Sequence, residues 1–367
     1  MEVLSSILSG SNNFLEIFWL KILMKNITIP SLVDFFPIAA TLFIQNPASE
    51  TTSNHSPYGI SVVVAGATGI ARRFYQRFSL FLIQNLPPPN SSVVTFDYRG
   101  IGDSFPGNNR RDARDIEANI SDHWANRDLA GVLDFVSKNF PRNRIVFVGH
   151  SVGIHSLAFL PPNLCQRIDR VLSVSCQNAY WKHRKLDPKS VLYSRPWRVY
   201  LTYFFVIPML TRIFGKFPGR RLGMFEDLPK GVALQWFFFC RFEKYCVDQN
   251  GKQVRTGALD SLECPILSYS ADDDEFAGPE AFEQFHSFFS KANPVRFVHI
   301  LPIRDLHGSR LGHNGFFKDS EVNRKALWTP ALEYILTGKM PENAKKSTLS
   351  SNTTSSNKKI PVLDSSL

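Results

Sequence analysis

The sequence predicts an α/β protein with a doubly wound, mostly parallel sheet and a helical cap insertion. Short apolar runs alternate with helical stretches from residue 37 to residue 176, the alternation stops between residues 177 and 255, and it resumes near residue 265. Continuous apolar strands separated by helices are typical of a parallel sheet covered on both faces. The length of 367 residues, with 44% hydrophobic and 20% charged residues, suits one large domain with an insertion.

Five segments follow from this pattern. Residues 31–176 and 256–342 form the two parts of the core, residues 177–255 form the cap, and residues 343–367 form a disordered tail rich in Ser, Thr, Asn and Lys. Residues 1–30 form an N-terminal amphipathic segment, in which charged residues interrupt the apolar stretch. Such a segment fits an interfacial helix better than a signal peptide or a spanning helix.

The strands of the core are expected at the apolar runs Pro37–Phe43, Gly59–Ala65, Val93–Phe96, Arg144–Val148, Arg170–Ser175, Pro265–Ser270 and Val295–Leu301. Four helices are expected between or after these strands. They begin at Arg72 or span Leu129–Val136, Phe282–Phe289 and Ala326–Leu336, the last of which ends the core. In the cap, the apolar run Val199–Leu210 contains Pro208 and is shorter than a membrane span, so a helix over the sheet edge is expected. Parallel strands end at one common edge, where functional groups gather.

A glycine-flanked serine lies between a predicted strand and a predicted helix. The residues are Gly149-His150-Ser151-Val152-Gly153, a G-x-S-x-G pattern. In that position the pattern is typical of a nucleophile elbow, a sharp turn that projects the serine oxygen. The flanking glycines remove Cβ atoms that would clash in such a turn.

A nucleophilic serine needs a base and an acid that orients the base. The acid is expected after the strand ending near Ser270, where Asp272, Asp273, Asp274 and Glu275 follow each other. Four adjacent carboxylates cannot all be buried, so most of them face water or cations. We favour Asp274 as the acid, with Asp273 as the alternative.

The base is expected after the next strand, where His307 and His313 both lie in the following loop. His313 is preferred, because its flanking glycines free the backbone to deliver the ring. His299 lies inside the strand and is expected to be structural. His150 and His155 flank the serine and are expected to pack beside the elbow.

An oxyanion hole needs backbone N–H groups aimed at the developing charge. Val152 follows the serine and supplies one such group. The other is expected in the small turn Ala65–Gly69, from Ala67 or Thr68. No H-E-x-x-H, phosphate-loop or G-x-G-x-x-G pattern occurs, so neither a metal nor a cofactor is expected.

Charge is concentrated in the cap. The net charge is +10, and residues 178–225 contain ten Lys or Arg against the single acid Asp187. No nucleic-acid signature accompanies the charge, so peripheral membrane contact or an acidic substrate is the expected use. Five unpatterned cysteines favour an intracellular, cytoplasmic protein, with the C-terminal Ser365-Ser366-Leu367 as a degenerate peroxisomal alternative.

Together these motifs resemble the α/β-hydrolase superfamily. The resemblance rests on Gly149–Gly153, the acidic loop Asp272–Glu275, Gly312-His313 and the stretch Asp97-Tyr98-Arg99-Gly100-Ile101-Gly102-Asp103-Ser104. In that superfamily the Asp and Arg of the last stretch usually hold the loop, which implies a structural role for Asp97 and Arg99.

A closer resemblance is to a group of sparsely characterised, largely microbial predicted α/β hydrolases. It spans about residues 31–340 and includes these further stretches: Gly66–Gly69 with Phe74-Tyr75, Pro218–Gly223, Asp227–Pro229, Gln235-Trp236 and Gly312–Phe317. Two departures concern backbone shape. Phe35 stands where the group often has a glycine turn, and Ile154 replaces a glycine after the elbow.

The expected function is therefore that of a serine hydrolase acting on a small-molecule ester or thioester with an apolar acyl or polyketide-like part, as in secondary metabolism. The many aromatic residues of the cap, together with its basic residues, favour an apolar acyl group with an anionic end. The alternatives are a hydrolase-like acyltransferase or peptidase, and a non-catalytic small-molecule-binding protein on the same fold.

Overall fold

The computed structural model describes residues 22–45, 59–88, 90–107, 112–254 and 257–349. Eight strands form the central sheet, and a short hairpin lies in the cap. The strands are β1 Ile22–Pro30, β2 Pro37–Gln45, β3 Ile60–Ala65, β4 Ser92–Phe96, β5 Arg144–His150, β6 Ile168–Val174, β7 Lys216–Phe217, β8 Leu228–Pro229, β9 Ile266–Ala271 and β10 Val295–Ile300. The seven predicted core strands are thus confirmed.

The sheet has the order β1-β2-β4-β3-β5-β6-β9-β10. Strand β2 pairs antiparallel with both β1 and β4, and the six strands from β4 to β10 in that order are parallel. This mostly parallel, doubly wound sheet confirms the predicted fold class. The C-terminal ends of β3, β5, β9 and β10 therefore face the same edge.

Helices cover both faces of the sheet and build the cap. They are α1 Gln76–Asn85, α2 Ala130–Asn139, α3 Val152–Ala158, α4 Pro162–Cys165, α5 Pro196–Leu201, α6 Ile207–Phe214, α7 Lys230–Phe239, α8 Ala258–Ser261, α9 Pro279–His286, α10 Pro302–Asp305, α11 Glu321–Asn323 and α12 Thr329–Thr337. Turns of π-helix precede α2, α6 and α12, at Ile120–Leu129, Thr202–Val206 and Arg324–Trp328.

Alternate side chains of the central strands pack into two cores. In β5, Ile145 and Phe147 join the core on one face, and Val146 and Val148 join the core on the other. All four are 1% exposed or less. Burial on both faces explains why the strands are continuous apolar runs.

The N-terminal part of the core differs from the prediction. Residues 22–30 were expected in an amphipathic segment outside the core, but they form edge strand β1 along the whole of β2. Edge strands are half-buried, so their polarity resembles that of a surface helix. Residues 1–21 lie outside the described residues. In the β1–β2 turn Phe35 has φ of 53° and is 75% exposed, which explains the glycine often found there.

The first residues of the predicted disordered tail are also ordered. Lys345 exchanges two backbone hydrogen bonds of 2.8 Å with Phe297 of the edge strand β10. The Glu283 carboxylate accepts hydrogen bonds from Ser347 and Thr348. The open edge of β10 offers backbone partners that a composition-based prediction does not see. Residues 350–367 lie outside the described residues.

The predicted cap, residues 177–255, contains the helices α5, α6 and α7 and the short β7–β8 hairpin. Its α5, π-helical turn and α6 run without a break from Pro196 to Phe214, and Pro208 is accommodated at the start of α6. Within the described ranges, no helix is long and apolar enough to cross a bilayer.

Candidate active site

Ser151 occupies a strained turn between β5 and α3. Its φ of 52° and ψ of −113° lie outside the regions that residues with a side chain usually adopt. The Ser151 N–H donates to the Val174 carbonyl at 2.9 Å, which ties the turn to β6. A Cβ on Gly149 would collide with the Ile154 side chain, and one on Gly153 with the Ala65 carbonyl. Both glycines of the pattern are therefore required by packing, and Ile154 fills the space above Gly149.

His313 lies in the loop after β10 and contacts the acidic loop after β9. Its Nδ1 lies 2.8 Å from Asp274 Oδ2, and the Asp274 side chain is fully buried. If Nδ1–H donates to the carboxylate, Nε2 carries the lone pair that accepts a proton. The imidazole is 7% exposed, so Nε2 lies in a largely dry site.

The neighbouring carboxylates of the acidic loop have different partners. Asp273 accepts hydrogen bonds of 2.9 Å from the backbone N–H groups of Leu311 and Gly312. Glu275 accepts one of 3.1 Å from the His313 N–H. Asp272 is exposed. Of the two acids that sequence reasoning left open, Asp274 faces the imidazole and Asp273 holds the loop that carries it.

The environment of His313 favours the protonated ring. Burial by itself lowers the pKa of His313, but the charge and the hydrogen bond of Asp274 outweigh burial, and the pKa ends above its ordinary value. Glu275 raises the pKa further, while the positive charge of Arg184 opposes it. A proton accepted at Nε2 is therefore stabilised by the acidic loop.

The two candidate oxyanion-hole donors in the turn after β3 differ in their hydrogen bonding. The Ala67 N–H donates to the Tyr75 hydroxyl at 2.7 Å, so it is already engaged. The N–H groups of Thr68 and Val152 have no hydrogen-bond partner among the described residues. Val152 is the first residue of α3, where backbone N–H groups point outward and the helix dipole favours negative charge.

Tyr75 and His150 connect this turn to His313, a link that the sequence did not suggest. The Tyr75 hydroxyl lies 2.9 Å from His150 Nδ1, and His150 Nε2 lies 3.0 Å from the His313 carbonyl. Burial lowers the pKa of His150 to about 3, so its ring is neutral. A neutral ring that donates from Nε2 accepts from Tyr75 at Nδ1. The only signal in the sequence was Tyr75 inside a stretch that carries the family resemblance.

An arginine of the cap lies close to His313. The Phe276 ring packs on His313 at 4.5 Å, and the Arg184 guanidinium lies over Phe276 at 4.4 Å and over Tyr193 at 4.2 Å. Arg184 Nε is buried without a hydrogen-bond partner among the described residues. No ion pair of Arg184 occurs within those ranges either. The rim of the site therefore combines two aromatic faces with an unneutralised positive charge.

The stretch Asp97–Ser104 makes structural contacts, as the resemblance implies. Arg99 binds Asp128 and Asp34, with ion-pair distances of 2.6 and 2.7 Å. Asp97 pairs with Arg72 and accepts the N–H of Asp103. These bonds close the loop after β4.

The other candidate histidines of the sequence have different surroundings. His155 lies 2.8 Å from the Gln177 carbonyl and 2.7 Å from the Tyr245 hydroxyl, and burial lowers its pKa to about 3. His299 contacts Ser270, and His307 is exposed. In the part of the chain that the structure describes, no group of three or more His, Cys, Asp and Glu side chains could hold a metal ion.

The oxyanion turn, the elbow, the acid and the histidine follow β3, β5, β9 and β10, in the order along the chain that is expected for an α/β hydrolase. A model of the alpha/beta hydrolase family matches residues 62–323. The chain belongs to this family.

Among solved structures, the chain is similar to esterases. Est1E from Butyrivibrio proteoclasticus, with ferulic acid bound, is 13% identical with a TM-score of 0.49, over 84% of this chain and 97% of that one. The esterase EaEST from Exiguobacterium antarcticum is 13% identical with a TM-score of 0.49, over 85% and 99%. Among curated proteins, none matches this sequence.

Proposed function

We propose that this alpha/beta hydrolase is a serine hydrolase that cleaves an ester or thioester with an apolar acyl part through an acyl-enzyme on Ser151. The observation that carries the proposal is the contact between His313 and the buried Asp274. The loop that carries His313 is also hydrogen-bonded to His150, the residue before Ser151. The strained serine, the oriented imidazole and free backbone N–H groups are the parts that acyl transfer requires.

In the first half-reaction the Ser151 oxygen attacks the acyl carbonyl while His313 Nε2 takes the hydroxyl proton. Asp274 orients the ring and stabilises its charged form. The N–H groups of Val152 and Thr68 bind the oxyanion, because the Ala67 N–H is engaged by Tyr75. The imidazolium then protonates the departing alcohol or thiol, and the acyl-enzyme remains.

In the second half-reaction water attacks the acyl-enzyme and gives a proton to His313. The tetrahedral intermediate collapses, the Ser151 oxygen recovers the proton, and a carboxylic acid leaves. No external oxidant, reductant or cofactor is required by these steps.

A fluorophosphonate probe tests the reaction class. The wild-type protein should be labelled and should hydrolyse aryl esters, and Ser151→Ala should abolish both. Ser309→Ala, an exposed serine in the loop before His313, is the matched control and should behave like wild type. A folded wild-type protein that neither reacts with the probe nor turns over esters would instead be a binding protein on this fold.

We further propose that the acyl group carries a carboxylate. Arg184 supports this, because it lies in an aromatic rim beside His313 and lacks a carboxylate partner among the described residues. The Nε of this half-buried arginine lacks a hydrogen-bond partner among the described residues, and a substrate carboxylate would supply both a partner and a counter-charge.

Matched substrates test this part. Wild type should prefer the aryl hemiester of a dicarboxylic acid over the uncharged aryl ester of the same chain length. Arg184→Gln should lose that preference, mostly through KM, and Arg184→Lys should restore part of it. An unchanged preference in Arg184→Gln would exclude the role of Arg184 without touching the reaction class.

A further inference from the structure

The long cap helix presents two opposite stripes of apolar residues. One stripe, Val199, Tyr203 and Ile207, is at most 4% exposed and packs on the core. The other contains large apolar side chains at four-residue spacing, whose exposures are Trp197 56%, Leu201 42%, Phe205 56%, Met209 53% and Ile213 68%. The two stripes are offset by two positions, which is about half a helical turn. We call Trp197, Leu201, Phe205, Met209 and Ile213 the outer stripe.

The π-helical turn keeps the outer stripe on one side. Residues four apart drift gradually around an α-helix, because a turn holds about 3.6 residues. The wider turns at Thr202–Val206 rotate the following residues the other way. The stripe therefore forms a continuous apolar face from α5 to α6.

Exposed apolar side chains are concentrated on the cap. Of the 18 exposed large hydrophobic side chains in the described ranges, 12 lie between residues 186 and 224. Isolated exposed apolar residues are ordinary, but a contiguous face with a polar rim marks a surface that meets a partner or a membrane.

Exposed arginines flank the outer stripe. Arg195, Arg212 and Arg221 are exposed, and none has a carboxylate partner among the described residues. Arg221 lies 5.9 Å from the ring of Phe214 at the end of α6. Arg212 raises the local positive charge enough to lower the pKa of Arg241, together with the larger effect of burial. The apolar face is thus bordered by unneutralised positive charge.

We propose that the outer stripe docks on an anionic lipid bilayer. Trp, Phe, Leu and Met on one face with Arg beside them are the composition of interfacial helices, which insert the apolar face and bind acidic headgroups. Anionic lipid contributes roughly a fivefold gain in binding for each Lys or Arg near the surface.

Charge argues against a second copy of the chain as the occupant. Residues 178–225 carry ten Lys or Arg and one acid, so a symmetric contact through this face would bring like charges together. An acidic membrane surface supplies the opposite sign. Docking does not depend on the proposed hydrolase activity.

Vesicle co-sedimentation tests the proposal. The full-length protein should pellet with phosphatidylcholine vesicles that contain phosphatidylserine, pellet much less without it, and be released by high salt. Phe205→Glu with Ile213→Glu should abolish pelleting. Arg212→Gln with Arg221→Gln should weaken it, about fivefold for each arginine.

Ile303→Glu is the matched control, because Ile303 is 88% exposed but lies in α10, outside the cap. It should bind vesicles like wild type. Equal pelleting with both kinds of vesicle, or equal loss in Ile303→Glu, would overturn the proposal. So would a dimer in sedimentation velocity that Phe205→Glu dissociates while vesicle binding is absent.

Discussion

Arginine side chains of the core and of the cap have contrasting surroundings. In the core the Arg99 side chain is 3% exposed, and its guanidinium is shared by Asp34 and Asp128. In the cap Arg184 lies between aromatic rings, and Arg212 is exposed beside the outer stripe, both without a carboxylate partner in the described ranges. Paired charges hold this loop of the core in place, whereas these two arginines of the cap remain available to bind an anionic group from outside the chain.

The acidic loop gives the largest expected effect. Asp274→Asn should lower kcat roughly 10⁴-fold, because an amide cannot hold His313 in the required tautomer and charge state. Asp273→Asn should cost at most about tenfold, since its amide oxygen still accepts a backbone N–H. Steady-state kinetics of the two folded variants make the measurement. Equal losses of kcat would mean that Asp274 and Asp273 do not have the different roles that their contacts indicate.

The two stripes of the cap helix should differ in their effect on stability. Ile207→Ala should reduce the free energy of unfolding by about 2–5 kcal/mol, because it opens a cavity against the core. Met209→Ala, two residues further on the outer stripe, should change it by about 0.5 kcal/mol or less. Chemical denaturation measures both. A large loss for Met209→Ala would show that the stripe is covered within the protein.

Tyr75→Phe should lower kcat about tenfold with little change in KM. The substitution removes the hydroxyl that accepts the Ala67 N–H and donates to His150, which in turn holds the His313 carbonyl. Tyr245→Phe is the matched control, because it breaks the equivalent buried bond to His155 on α3, whose ring hydrogen-bonds Gln177 and not the His313 loop. A similar loss of kcat in both variants would reduce Tyr75 to a purely structural role.

The acidic limb of the pH–activity profile should move in opposite directions in two variants. In the proposed mechanism the base is the neutral form of His313, so activity should be lost as pH falls through its raised pKa. Glu275→Gln removes a charge that raises this pKa, and the limb should move to lower pH. Arg184→Gln removes a charge that lowers it, and the limb should move to higher pH. Profiles of kcat/KM for the uncharged ester make the comparison.

Much of the site could be predicted because its pattern is local. The elbow needs glycine at two positions and a strand before it, and these requirements are written within ten residues around Ser151. The histidine and the acids follow strands whose apolar runs are continuous. The sequence favoured Asp274 over Asp273 but could not decide between them. Adjacent residues of one loop point in different directions, and only the folded backbone determines which of them faces the histidine.

Edges and insertions were less accessible to prediction. The strand β1 is half-buried and mixes polar with apolar residues, so nothing local separates it from a surface helix. The ordered start of the C-terminal tail depends on the open edge of β10, which no composition records. The outer stripe also requires the fold, because an apolar run does not say which of its residues face the core.

The sequence by itself indicated the candidate site residues, their order along the chain and the α/β layering, because each depends on short-range spacing and strand hydrophobicity. The tertiary structure alone decided which groups are hydrogen-bonded to each other, as in the chain of hydrogen bonds from Ala67 through Tyr75 and His150 to His313. It also decided which apolar residues of the cap remain outside. Two of these contacts join residues 75 and 163 positions apart, and their geometry arises only when the chain folds.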